Sequence, residues 1–148
     1  MKILNKTAPS KFNVEERFEA GIQLLGSEVK AIRLDHVDLK SSYVKLMSNE
    51  AYLINAKIFP YQFSRVEGYK EDRTRKLLLH RKEILKIKNM LDTGKYTIAP
   101  LSLYLKNGKF KLEIGVAKSK KEHERRKDAK QQAIQLQQRR DLKYLSER

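Results

Sequence analysis

Strict alternation of apolar and polar residues on both sides of Asn107-Gly108 predicts a β-hairpin. Both central residues of a two-residue type I′ turn need a positive φ, which the Asn-Gly dipeptide tolerates best. The register set by this turn makes every inward pair apolar, and it extends to a pairing of Leu101 with Ile114. The outward face of the hairpin then consists of Tyr104, Lys106, Lys109 and Lys111.

Shorter alternating runs predict further strands. The apolar residues between positions 12 and 22 share one parity, which predicts a first strand over this segment. The segments 43–47 and 51–58 alternate in the same way and are joined by turn-forming residues near 48–50. Together with the hairpin, these runs give at least five strands.

Two segments have helical spacing instead. Residues 26–34 place Val29 and Ile32 three residues apart, and residues 76–92 carry an apolar stripe that ends before Gly94. Short strands joined by turns around small helices are typical of a β-barrel. The predicted fold is therefore mainly β with short α-helices.

The composition changes at Ala117. Residues 1–116 carry a net charge of +9 and most of the large apolar residues, whereas residues 117–148 carry +6 and few apolar residues. From Lys118 onward there is no Gly or Pro, and good helix formers dominate. We expect a barrel domain over 1–116 and a basic C-terminal tail over 117–148 that is frayed alone and helical against a partner.

Overall charge narrows the class of partner. The net charge of +15 favours a polyanion, either a nucleic acid or an acidic membrane surface. No run of about 18 apolar residues exists, and the N-terminal residues lack the apolar centre of a signal peptide. With no cysteine there is no disulfide framework and no thiolate metal site. We therefore expect a soluble, cytoplasmic protein that is not exported, with either a nucleic acid or an acidic membrane surface as its partner.

Enzymatic motifs are missing from the sequence. It contains no P-loop, no dinucleotide-binding glycine pattern, no His-Glu-x-x-His and no nucleophile elbow. His36 and His80 have no neighbours at metal-ligand or nucleophile spacing, so a nuclease is disfavoured. We expect no catalytic residues, no metal and no cofactor.

Basic clusters carry the stronger signal. Arg73, Arg75 and Lys76 precede an apolar run, and at a loop-to-helix boundary they would favour phosphate; the alternative is a solvated run of charges. The hairpin face around Tyr104 combines an aromatic ring with lysines, as in barrels that bind unpaired nucleic acid; the alternative is a strand face kept soluble by lysine. Glu19 can accept hydrogen bonds from base amino groups, or it is simply solvated.

Five strings occur in an order that identifies a family. They are FEAGI (18–22), GSEVKAIR (26–33), RTRKLLLH (73–80), YLKNGK (104–109) and VAKSKK (116–121). In this order they resemble the bacterial tmRNA-binding family, small protein B, over nearly the whole chain. The resemblance implies an oligonucleotide-binding-like β-barrel with a tail, and a function without chemistry.

The resemblance also implies partners. The barrel would bind the tRNA-like domain of tmRNA, and the complex would enter ribosomes stalled on messages without a stop codon. The tail would occupy the decoding centre and the empty mRNA path, chiefly against small-subunit ribosomal RNA. Elongation factor Tu would be an indirect partner through aminoacylated tmRNA. The protein would be cytoplasmic and ribosome-associated, with no membrane partner.

Site residues carried over by position fall into three groups. Asn5, Glu19, Leu78 and Lys111 would bind RNA on the barrel. Phosphate contacts would come from Arg73, Arg75 and Lys76. In the tail, the ring of His123 would stack in the decoding centre among the cations Lys118, Lys120, Lys121, Arg125, Arg126 and Lys127.

A second hypothesis keeps the fold but drops the specificity. The same basic face would suit a general single-strand RNA chaperone or a ribosomal protein. Competition for tmRNA by bulk tRNA separates these two classes, because only a specific binder retains tmRNA in an excess of other RNA.

Overall fold

The computed structural model describes residues 1–63 and 67–146, and of residues 122–125 and 144–146 it describes the backbone alone. The elements in chain order are β1 (Lys2–Leu4), α1 (Ala8–Lys11), β2 (Phe12–Ile22), α2 (Gly26–Arg33), β3 (Val37–Asp38), β4 (Tyr43–Met47), β5 (Glu50–Ile54), β6 (Lys57–Ile58), β7 (Arg75–Leu78), α3 (Arg81–Leu91), β8 (Thr97–Lys106), β9 (Lys109–Ser119) and α4 (Glu122–Ser146).

Six antiparallel strands close into a barrel. Their order is β8, β4, β5, β7, β2 and β9, and β9 pairs again with β8. β1 extends the sheet along β8, and β3 pairs with β6 in a separate two-stranded sheet. The predicted fold, mainly β with short helices, is confirmed.

The barrel interior is filled by alternate residues of the strands. Leu53, Leu103 and Leu112 are at most 2% exposed, and the helices add Ile32 and Ile87, which are fully buried. Burying a side chain of this size contributes roughly 1.5–3 kcal/mol. Inward residues thus stabilise the fold, while their neighbours in sequence face outward and are available for a partner.

The predicted hairpin is present, with one exception in its register. Asn107 and Gly108 have φ values of 52° and 76°, as the type I′ turn requires. The pairing of Leu101 with Ile114 is wrong, because β8 has a bulge at Leu101 and Ile114 lies opposite Pro100. Proline has no N–H to donate to a ladder, so a bulge at this point loses little.

Two other boundaries differ from the prediction. The strand predicted over 51–58 begins at Glu50, directly after the turn that Ser48 and Asn49 form with positive φ values. It ends earlier than predicted, at Ile54. The helix predicted over 76–92 is wrong in its first part, since Arg75–Leu78 is strand β7. A short apolar run suits a buried strand as well as a helix, and here the strand pairs with β2 and β5.

The tail begins later than the composition indicates. β9 continues to Ser119, and Ala117 is fully buried, so the strand passes the predicted boundary at residue 116. α4 follows, and its side chains from 126 to 143 are exposed apart from a half-buried Asp128. Among the described residues, no helix combines the length and apolar character needed to cross a bilayer.

A buried ion pair connects α2 to the barrel. Glu28 lies in the first turn of α2, and one of its oxygens accepts the Leu25 N–H at 2.8 Å. Its carboxylate also binds Arg75 of β7 (Nη2 to Oε2 2.6 Å) and Arg73. The side chains of Glu28 and Arg75 are both 0% exposed.

Every donor of Arg75 has an acceptor. A buried guanidinium stabilises a fold only when all five of its N–H groups are satisfied. At 2.8–3.2 Å, these donors bind the Glu28 carboxylate, the Tyr69 hydroxyl and the backbone carbonyls of Ala56, Arg73 and Glu71. The pair therefore connects α2, β7 and the two segments that flank β6.

The same contacts set the pKa of Glu28. Burial alone would raise the pKa of this carboxyl, but hydrogen bonds from Arg73 and the Leu25 N–H, with the charge of Arg75, outweigh it and lower the pKa. A carboxyl with a lowered pKa stabilises the folded state above its ordinary pKa of about 4.3. That contribution is lost as the pH falls through the folded pKa.

Glu28→Gln is expected to lower the free energy of unfolding at pH 7 by about 3–5 kcal/mol, because it leaves a buried arginine without its counter-charge. As the pH falls below about 4.5, the free energy of unfolding should decrease less in the variant than in the wild type, because the variant has no carboxylate to protonate at this position. Urea unfolding at several pH values measures both effects. Glu16→Gln, which removes an exposed pair with Lys86, is the control and should cost no more than about 1 kcal/mol. Equal losses for the two variants would contradict this account.

Candidate nucleic-acid interface

One row of outward side chains crosses five strands. Residues directly opposite each other in a sheet point to the same side. Register pairs Lys2 with Tyr104, Tyr104 with Lys111 and Lys111 with Gly21, and Gly21 lies opposite Leu78. Tyr104, Lys111 and Leu78 are far apart in sequence, and the barrel brings them together.

We call this surface the basic face. It is the outward side of β1, β8, β9 and β2, and it carries Lys2, Glu19, Tyr104, Lys106, Lys109 and Lys111. Lys106 and Lys109 face each other at the hairpin end, and both are exposed. The outward face predicted for the hairpin is thus present and continues onto β1 and β2.

Glu19 lies at the centre of this group, opposite a second carboxylate, Glu113, that is paired with Arg17. The Tyr104 hydroxyl donates to Glu19, and Lys106 Nζ lies 3.2 and 3.3 Å from its two oxygens. The hydrogen bond from Tyr104 is the main reason that the pKa of Glu19 is lowered. Burial, with the Glu19 contact, raises the pKa of Tyr104. Glu19 is therefore an ionised acceptor held in a fixed position at neutral pH.

A groove opens beside Glu19. It has a volume of about 330 Å³, and its lining includes Glu19, Leu78, His80 and Lys111. Leu78 is half-exposed and offers an apolar surface. The groove combines an apolar contact, a fixed acceptor and a cation, which suits a base and its phosphate.

Gly21 was not recognised as part of the site from the sequence. A methyl group at this position would come within 3.2 Å of Leu78 Cβ, so any larger residue would press on the groove lining. A glycine inside a strand pattern often marks a close approach to another group, and this signal was available in the alternation over 12–22.

The basic cluster before β7 differs from the prediction. Arg75 is wholly buried in the ion pair with Glu28, so the prediction of a phosphate contact for Arg75 is wrong. Arg73 binds the same carboxylate, with a side chain 30% exposed. Lys76 is more exposed and lies 3.0 Å from Glu50. Of the three cations, Lys76 and part of Arg73 face solvent.

Asn5 also has a structural role. It is 7% exposed, its Nδ2 donates to the Pro100 carbonyl at 2.8 Å, and its Oδ1 accepts from the Thr7 hydroxyl at 3.0 Å. These bonds give Asn5 a structural role as a support of the bulge in β8. Its predicted contact with RNA stays a prediction.

The predicted tail residues fall into two groups. Lys118 binds Glu15 on the barrel at 3.2 Å, and Lys120 binds Asp128 in the second turn of α4. The remaining cations with described side chains, Lys121, Arg126 and Lys127, are exposed. The side chains of His123 and Arg125 lie outside the described part of the structure.

Histidines do not assemble a chemical site in the described residues. His80 precedes α3, where its backbone N–H donates to Glu83 at 3.0 Å. Among the side chains that the structure describes, which exclude those of 122–125 and 144–146, no three His, Cys, Asp or Glu residues come together as metal binding requires.

Comparisons with known proteins all indicate the same family. A family model described as SmpB protein matches residues 2–144. The SsrA-binding protein of Geotalea uraniireducens is 45% identical over 126 residues, covering 85% of this chain and 83% of that protein. That of Aquifex aeolicus is 42% identical over 140 residues, covering 94% and 89%.

A solved structure is similar as well. It is described as "tmRNA-SmpB: a journey to the center of the bacterial ribosome". The matching chain is 34% identical with a TM-score of 0.68, and the match covers 82% of this chain and 85% of that chain. The similarity is therefore one of structure as well as of sequence, over most of both chains.

Tyr104→Phe is expected to raise the pKa of Glu19 toward its ordinary value, because the variant removes the hydrogen bond that does most to lower it. An NMR titration of the glutamate side chains measures this. Tyr52→Phe is the matched control, since Tyr52 donates to Glu50 at 2.7 Å and should move the pKa of Glu50 alone. An unchanged Glu19 pKa in the Tyr104 variant would contradict the geometry described for the basic face.

Proposed function

Because this chain belongs to the SmpB protein family, we propose that it is an RNA-binding adaptor that binds the tRNA-like domain of tmRNA and delivers it to stalled ribosomes. The observation that carries the proposal is the row across five strands, which unites Tyr104, Lys111 and Leu78 beside Glu19. The proposed role is trans-translation, in which the ribosome leaves a message that has no stop codon.

On the barrel, each group of the basic face has a distinct part. Lys106, Lys109 and Lys111 meet phosphates, and their contribution weakens with salt. The Tyr104 ring offers a flat surface to unpaired bases, and Leu78 beside it offers an apolar one; salt hardly affects either contact. These two kinds of contact together suit a folded RNA with exposed loops.

Glu19 supplies selectivity on this face. A carboxylate amid lysines repels phosphate, but it accepts hydrogen bonds from the amino groups of bases. Because Tyr104 and Lys106 hold it in place, an RNA that offers an amino group there gains a charge-assisted bond. RNA that offers only phosphate at this point is rejected. This favours a specific adaptor over a general chaperone.

The tail serves the second partner. We assign Lys121, Arg126 and Lys127, with His123 and Arg125, to small-subunit ribosomal RNA in the decoding centre and the empty mRNA path. The exposed side chains of α4 give a cationic helix with no core of its own to pack against. Elongation factor Tu takes part through aminoacylated tmRNA. In this role the protein makes and breaks no covalent bond, so it is not an enzyme.

Lys111→Ala is expected to weaken binding to the tRNA-like domain and to reduce the slope of log affinity against log salt by roughly 0.7–0.9, because one phosphate contact is lost. Filter binding over a series of salt concentrations measures both. Lys57→Ala removes an exposed lysine from the separate two-stranded sheet, and it should leave the slope unchanged. The same slope for wild type and Lys111→Ala would remove Lys111 from the interface.

Truncation after Lys121 separates the two parts. A cut after Val116 would remove the end of β9, so the structure sets the later position. Residues 1–121 should keep affinity for the tRNA-like domain within a few fold, yet fail to support peptide tagging on stalled ribosomes. Binding is measured with an excess of bulk tRNA, which should not displace tmRNA. Full tagging by the truncated chain would refute the division of labour, and displacement would favour the general chaperone.

A further inference from the structure

A cavity lies at one end of the basic face, and the proposed function assigns no role to it. It lies between β1, α1 and the start of β2, and it has a volume of about 520 Å³, within the range of small-ligand sites. Leu4, Phe12 and Leu101 give it apolar walls. Its lining also includes the cations Lys2, Lys6 and Arg17.

Ser102 is a polar residue in this lining whose hydroxyl has no structural role in the fold. It is 2% exposed, and its Oγ is the only buried side-chain oxygen or nitrogen without a hydrogen-bond partner among the described residues. A buried hydroxyl without a partner destabilises the fold that contains it. Register places Ser102 opposite Leu4 and Glu113, and so on the outward side with the basic face.

Two hydrogen bonds from Asn5 hold the bulge in β8 in place. The Asn5 backbone N–H donates to the Leu101 carbonyl at 2.8 Å, and the Asn5 side chain donates to the Pro100 carbonyl at 2.8 Å. Bulges often re-aim a side chain beside a functional site. Two bonds from Asn5 therefore fix the backbone immediately before Ser102.

We propose that this cavity binds one unpaired nucleotide of the RNA that lies on the basic face. The inference rests on the proposed function and deepens it. The apolar walls, with the Phe12 ring, suit the flat face of a base, and the Ser102 hydroxyl can donate to or accept from its edge. Arg17 is paired with Glu113 at 2.7 Å, which leaves Lys2 and Lys6 for the flanking phosphates.

The position of the cavity supports a nucleotide as its occupant. Ser102 and Leu4 lie two residues along their strands from Tyr104 and Lys2, so the cavity continues the surface on which the RNA lies. Asn5 then has an indirect role in RNA binding, as a positioning residue that holds the bulge. This role explains how Asn5 can affect RNA binding although its own side chain is buried and hydrogen-bonded within the protein.

Ser102→Ala gives the first test. The variant should bind the tRNA-like domain roughly 2- to 10-fold more weakly, the range of one net hydrogen bond, while its unfolding midpoint stays the same or rises. Ser42→Ala is the matched control, because the Ser42 hydroxyl donates to the Leu39 carbonyl; it should lower the midpoint and keep the affinity. Unchanged affinity in Ser102→Ala would overturn the proposal.

Site-directed crosslinking gives the second test and locates the nucleotide. The chain has no cysteine, so Leu4→Cys carries a photoactivatable thiol label at a single position. Leu4 is 58% exposed, and Leu136→Cys on α4, at 54%, is the matched control. With the tRNA-like domain bound, the label at position 4 should crosslink to one or two adjacent unpaired nucleotides. Crosslinks no stronger than the control, or spread over many nucleotides, would overturn the proposal.

The two proposals fail in different ways. If the wild-type chain binds the tRNA-like domain no more tightly than bulk tRNA, the proposed function is wrong and the cavity proposal fails with it. If the wild type binds specifically but position 4 does not crosslink above the control, the cavity proposal alone is wrong.

Discussion

Glu28 and Arg75 are both withdrawn from water, which costs several kcal/mol per ion unless each donor and lone pair finds a partner. Here the partners come from α2, from the segments beside β6 and from β7 itself. Since side chains alternate along a strand, fixing Arg75 inward also fixes Leu78 outward, onto the groove beside Glu19. A slip of one residue in β7 would bury Leu78 and expose the arginine. The groove of the proposed RNA-binding surface thus depends on an ion pair on the other side of the strand.

Local signals in the sequence were sufficient for part of the fold. The Asn107-Gly108 turn and the alternation around it defined the hairpin, because a type I′ turn fixes register by itself. β7 was missed because its apolar run fits both a helix and a buried strand. The sequence predicts a phosphate contact for Arg75 because its partner Glu28 lies 47 residues away, and burial that depends on so distant a residue leaves no local signal.

The same limits apply to the candidate site. The lysines and Tyr104 were predicted, because a hairpin face is a local pattern. Their grouping with Glu19 and Leu78 required the closed barrel, which joins β2 and β7 to the hairpin. In the proposed function, the basic face gains affinity from its cations and selectivity from Glu19, whereas the tail gains affinity from its cations. The proposal thus gives one chain a selective surface and a permissive one for two RNAs.

Sequencing the RNA that copurifies at moderate salt tests this division most directly. The full chain should recover tmRNA together with ribosomal RNA, and residues 1–121 should recover tmRNA with little ribosomal RNA. Loss of tmRNA from residues 1–121, or recovery of bulk tRNA in proportion to its abundance by either chain, would contradict the account.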